Sequence, residues 1–151
     1  MTPKAERLPE VVSRLFVGAF SPNDRFFARA LPMGMVEIQD VGAGQLLGRV
    51  RGFLHGVHSV AFSPDSRRLA AGSDDLQAVK LWDTQSLQEL VTLRGESTVF
   101  SQTRFSPDGN LLASMAFRGV LHVWRAPSWA EIEAAERSDA DGMRAELSGL
   151  K

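Results

Sequence analysis

The sequence predicts an all-β chain made of three consecutive antiparallel sheets of about four short strands each. Three series of markers carry that expectation. Phe20-Ser21-Pro22, Phe62-Ser63-Pro64 and Phe105-Ser106-Pro107 lie 42 and 43 positions apart, and each is followed by Asn23, Asp65 or Asp108. Ile38-Gln39-Asp40, Leu81-Trp82-Asp83 and Val123-Trp124-Arg125 have central residues 43 and 42 apart. Gly52 and Gly95 repeat at 43, and one extra residue between Phe62 and Trp82 reconciles the series. A shared period of this size marks a supersecondary unit that buries its apolar faces only against copies of itself.

The second unit shows the elements most plainly. Val57–Phe62 is strand-length and ends in Ser63-Pro64-Asp65-Ser66, where proline presets φ and the polar side chains bond local amides. Arg68–Gly72 follows, then the polar break Ser73-Asp74-Asp75, then Ala78–Trp82, and an apolar run from Leu87 to Leu93 completes four strands. Alternation puts Val79 and Leu81 on one face of the third strand and Lys80 and Trp82 on the other. The units span about 13–52, 53–95 and 96–127. Residues 1–12 form a linker or a displaced strand. The third unit has no outer-strand pattern after Trp124; Ser128 with Glu131 makes a capping box, so a short helix is expected over 128–137, and residues 138–151 form a flexible tail.

Composition narrows the function classes. A formal net charge of −1 supplies no broad field for nucleic acid or an acidic membrane surface. Without cysteine there is no disulfide framework, thiolate metal site or cysteine nucleophile, which favours the cytoplasm. The apolar stretch Leu111–Phe117 falls far short of the roughly 20 residues that span a bilayer, and the first nine residues have no signal-type apolar core.

Residues that suggest chemistry have plainer explanations. His55 and His58 have metal-like spacing but precede and enter a strand, with no third ligand nearby. His122 alternates with Leu121 and Val123 on a strand and faces a neighbouring sheet or solvent rather than acting as a base. Gly42, Gly44 and Gly48 miss the dinucleotide-loop spacing and sit in the connection that Gln85-Ser86 fills one repeat later. Ser63-Pro64 and Ser106-Pro107 resemble phosphorylation sites, but their recurrence favours structural turns. No nucleophile-elbow sequence supports a Ser–His–Asp triad. No catalytic residue, metal site or cofactor is expected.

Leu81-Trp82-Asp83 and Phe62-Ser63-Pro64-Asp65, repeated with this period over about residues 13–127, resemble the WD-repeat family. That resemblance implies a partial β-propeller of three four-stranded antiparallel blades, the last lacking its outer strand. It also implies a non-catalytic scaffold that binds a protein or peptide. The chain departs from the family where Phe53 and Glu96 replace the histidine after glycine, and where Gln39 replaces the first tryptophan. Met33 and Arg118 stand in the aspartate place, and Asp75 is one residue out of step. The family's buried His–Ser–Asp–Trp network is therefore incomplete, and apolar packing must hold the blades.

The ending resembles the carboxy-terminal part of bacterial WD-repeat proteins, some of which carry a kinase domain upstream. A regulatory or targeting segment of such an enzyme is the alternative function. Three blades are fewer than a usual ring needs, so the chain is either a fragment of a longer propeller or half of a homodimer that completes one. By the resemblance, loops on one face carry the partner-binding candidates Phe53, Leu54, His55, Phe117 and Arg118. Phe53 has a second possible role, tucked into the place of the missing histidine.

Overall fold

The computed structural model describes residues 17–74, 79–95, 99–117 and 119–126. They form three antiparallel sheets, each taking its strands in chain order. The first contains β1 (Gly18–Phe20), β2 (Phe26–Leu31), β3 (Met35–Asp40) and β4 (Gln45–Arg51). The second contains β5 (Val57–Phe62), β6 (Arg68–Ser73), β7 (Val79–Asp83) and β8 (Glu89–Leu93). The third contains β9 (Phe100–Phe105), β10 (Leu111–Ala116) and β11 (Leu121–Arg125). The last strand of the second sheet starts at Glu89, two residues later than its apolar run suggested, because Leu87 takes a φ of 57° in the preceding turn. The helix expected over 128–137 lies outside the described residues.

Strand β1 lies beside β5, and β5 beside β9, so the sheets pack face to face with their first strands adjacent. This is a partial propeller, and the alternation within each strand sends its side chains into two cores. Leu69, Ala71 and Trp82 join Phe26, Ala28, Val36, Ile38 and Val50 between the first and second sheets. Ala70, Val79 and Leu81 join Phe100, Leu112 and Ala116 between the second and third. Each fully buried Val, Leu, Ile or Phe contributes roughly 1.5–3 kcal/mol, so these contacts dominate the folding free energy.

The Ser-Pro turns are built alike in all three units. The hydroxyls of Ser21, Ser63 and Ser106 donate to Asn23, Asp65 and Asp108 at 2.7, 2.5 and 2.5 Å. Each hydroxyl also accepts a backbone N–H five residues on, from Phe26, Arg68 and Leu111 at 2.8, 2.9 and 2.9 Å. The same Asn or Asp oxygen accepts from Arg25, Arg67 and Asn110, at 3.1 Å each time. These bonds are all local to the turn, which is why proline and a short polar residue recur there.

The polar substitutions in the first unit follow from position. Glu37, Gln39 and Arg29 stand where the second unit has Lys80, Trp82 and Ala71, on the face that looks toward a preceding sheet. Among the described residues no sheet packs there. Instead Glu37 accepts hydrogen bonds from Arg29, Arg49 and Gln39 at 2.5, 2.8 and 3.1 Å. With no sheet opposite among the described residues, Glu37 is buried, at 2 % exposure, by partners from its own sheet.

Burial pushes the Glu37 carboxyl up, but its bonds to Arg29 and Arg49 outweigh this and hold it below its ordinary 4.5. Asp65, likewise opposed by burial, is held below 3.8 by the Ser63 hydroxyl and the Arg67 amide, and Asp83 by the amide and hydroxyl of Ser86. A carboxyl depressed in the folded state stabilises the fold above its unfolded pKa, and that contribution is lost as pH falls through the folded value. The urea midpoint is therefore expected to be flat between about pH 5 and 7 and to fall below about pH 4.5. Glu37→Gln is expected to make that fall shallower; an equally steep fall would show that Glu37 does not contribute to it.

Candidate interaction face

The described parts of the connections, residues 52–56, 74, 94–95, 99, 117 and 119–120, lie at one end of the strands, together with the tight turn 32–34. Hydrogen bonds tie them to one another. Gly52 and Phe53 donate backbone N–H groups to Gly34 at 3.2 and 3.4 Å. Gly34 has a φ of 69° and lies directly against the Phe53 carbonyl, so a side chain there would collide with backbone. The Ser73 hydroxyl reaches the Gly56 carbonyl at 2.9 Å, and the Phe117 N–H reaches Val99 at 2.7 Å.

The predicted candidates divide on this face. Leu54 is 78 % exposed, Phe117 is 66 % exposed, and His55 is exposed as well. Arg118 lies outside the described residues. Phe53 is no part of the exposed surface: it is buried, its ring meets Trp82 edge-on at 6.1 Å and 84°, and it belongs to the core between the first two sheets. Of its two possible roles, packing in the place of the absent histidine is the observed one. Gly52 before it lies against the Trp82 indole, where a side chain would collide with the ring.

The structure adds Met33 and Val120 to the exposed apolar set, at 67 % and 49 %. Sequence reasoning passed over Met33 because only its place in the aspartate position drew notice; in the 32–34 turn it takes a φ of 63° and stands outward.

The remaining motifs take structural positions. His58 approaches Asp74 at 3.5 Å, and among the described residues no three potential metal ligands gather. His122 stacks on Trp124 at 5.7 Å and meets Phe100 edge-on at 5.2 Å, inside the contact between the second and third sheets. Gly42 to Gly44 form the turn between β3 and β4, where the Ala43 N–H bonds Asp40 at 2.9 Å. The Ser86 N–H bonds Asp83 in the same way at 2.7 Å.

A buried hydroxyl chain not foreseen from the sequence joins the second and third sheets. Ser59 bonds the Phe100 carbonyl at 3.1 Å and Thr103 at 2.7 Å, and Thr103 bonds Ser114 at 3.0 Å. It supplies polar connection between units where the family network is incomplete. Because its members come from three strands of two units, no local spacing betrays it.

Stacked antiparallel sheets of four, four and three strands define a partial propeller-type module. Comparison with known proteins agrees. The family model "WD domain, G-beta repeat" matches residues 44–83. The chain is 37 % identical over 99 residues to the WD repeat-containing protein SL1-17 of Schistosoma mansoni, covering 64 % of this chain and 31 % of that protein. It is 29 % identical over 106 residues to Protein HIRA of Dictyostelium discoideum, covering 62 % and 9 %. With the human serine-threonine kinase receptor-associated protein it shares 35 % over 69 residues, covering 46 % and 19 %. The repeat match and these relatives support a WD-repeat family for the chain. The chain spans less than a third of each of these relatives.

Proposed function

We propose that this chain is a non-catalytic scaffold that binds a protein or peptide on its loop face, through Leu54, His55 and Phe117 together with Arg118. WD-repeat proteins generally act as protein-interaction scaffolds. The observation that carries the reading is the exposure of Leu54 and Phe117, large apolar side chains held outward on connections tied into the fold. Apolar and aromatic anchors beside an arginine are the usual centre of a protein interface. Loops anchored by hydrogen bonds at both flanks present such anchors at little ordering cost.

Leu54→Asp and Phe117→Asp are expected to abolish capture of a cross-linked partner, each lowering affinity at least tenfold. Gln85→Asp, at the opposite end of the strands, is expected to leave capture unchanged. Equal capture by all three variants would refute the reading, provided their melting temperatures match the parent's.

A further inference from the structure

The two end faces of the stack are unlike. On the third sheet, Leu111, Ala113 and Met115 of β10 and Leu121 and Val123 of β11 share the face turned away from the second sheet. Their register makes that face continuous, with Met115 opposite Leu121 and Ala113 opposite Val123. Leu111, Met115, Leu121 and Val123 are 40 %, 38 %, 57 % and 55 % exposed. One unit earlier, Ala70, Val79 and Leu81 hold the places of Ala113, Leu121 and Val123, and all three are buried against the third sheet. An apolar surface covered there and open here is costly in water and marks a contact.

A further unit packed as the third packs on the second does not fit this face. Where a unit follows, a small residue holds the place of Met115: Ala30 in the first sheet and Gly72 in the second. A Cβ at Gly72 would already stand 2.5 Å from the Phe100 carbonyl oxygen of the next unit, and the Ser59 hydroxyl bonds that same oxygen at 3.1 Å. The third sheet has Met115 and Gln102 in these two places, so the notch is filled and the hydroxyl is missing. The first sheet of a second copy does not fit either. Its outward face carries Glu37 with Arg29 and Arg49, and Arg49 is 56 % exposed. Pressing it on Leu121 and Val123 would strip water from that cation and supply no new acceptor.

We infer that the outward face of the third sheet is a self-association surface, on which the same face of a second copy docks about a two-fold axis. Apolar side chains then meet apolar side chains from both copies, in a sheet-on-sheet contact about 10 Å thick. A patch that binds itself closes at two copies. With β10 and β11 of one copy over β11 and β10 of the other, the exposed Arg104 of β9 and Arg125 at the strand end stay at the wet rim. Three short strands cover less than the roughly 800 Å² per partner of a standard interface, so the dimer is weak and depends on concentration. The inference does not depend on the loop face.

Sedimentation equilibrium of the full chain tests it. The average mass is expected to rise from one copy toward two between about 10 and 500 μM, the range of a weak interface. Leu121→Lys and Val123→Lys are each expected to weaken association at least tenfold. Leu54→Asp on the loop face and Arg49→Gln on the first sheet are expected to leave it unchanged. One copy at every concentration, assembly beyond two, or equal weakening by Arg49→Gln overturns the proposal. Should a variant melt below the parent, a cross-link decides, since the parent chain has no cysteine. In a mixture of Val123→Cys and Arg49→Cys chains, a short thiol cross-linker is expected to join Val123→Cys chains to each other and not to Arg49→Cys chains. No link between Val123→Cys chains, or a preferred link to Arg49→Cys, which a two-copy ring requires, would overturn the assignment.

Discussion

Replacing Phe53 by alanine is expected to lower the unfolding free energy by about 3–5 kcal/mol, the range for emptying a large aromatic site in a packed core. The ring is 4 % exposed and spans the contact between the first two sheets, so its loss opens a cavity that neither sheet can close alone. Part of the cost is the edge-on contact with Trp82, since such pairs contribute about 0.5–1.5 kcal/mol beyond area burial. A domain is typically stable by about 5–15 kcal/mol, so the variant stands near the limit of folding. Urea unfolding measures it. A change below about 1 kcal/mol, accompanied by loss of partner binding, would return Phe53 to the docking surface and contradict its packing role. Phe53→His is the informative companion: it restores the residue the family places after this glycine, and it exchanges ring volume for a polar group beside Trp82. Without its usual serine and aspartate partners the imidazole is buried unsatisfied, so this variant too is expected to be less stable than the parent.

The second large effect is expected at Gly72, where local and tertiary physics give opposite signs. Gly72 lies inside β6, and valine has the higher strand preference by up to about 1 kcal/mol, so propensity alone makes Gly72→Val stabilising. Packing reverses this. A Cβ at Gly72 would stand 2.5 Å from the Phe100 carbonyl oxygen, 2.6 Å from the Ser59 hydroxyl and 3.0 Å from that of Thr103. The first of these is backbone and cannot rotate away, so the second and third sheets must separate. That separation breaks the buried Ser59–Thr103–Ser114 chain as well. A loss of about 3 kcal/mol is expected, at the upper end of overpacking. Thermal unfolding reports the total, and exchange at Phe100–Phe105 localises it. A rise in melting temperature would mean that the two sheets do not meet at this point.

Much of the fold was legible in one dimension. The Phe-Ser-Pro and Leu-Trp-Asp series placed the turns and the third strands, because the turn bonds are local and the alternation of Val79, Lys80, Leu81 and Trp82 is a property of any strand. The departures were legible as well, but their meaning was not. Gln39 in place of tryptophan looked like a degenerate unit; with no sheet packed on that face among the described residues, it belongs to a charged network around Glu37. Gly72 and Met115 occupy the same place in their units, yet one faces Phe100 and Thr103 while the other is 38 % exposed on the outward face of the third sheet. Only the identity of the neighbour separates them.

The candidate site divided along the same line. Leu54, His55 and Phe117 stood outward as their loop positions suggested, while Phe53, adjacent in sequence and equal in chemistry to Phe117, turned inward. By itself the sequence determined the repeat, its strand order within each unit and the chemistry of its turns, all set by contacts within about 20 residues. The tertiary structure decided which face of each sheet is core and which is end, because that depends on whether another sheet stands opposite. The same physics governs the hydroxyl chain and the buried ring, whose partners lie a full unit away, where spacing within one unit carries no trace of them.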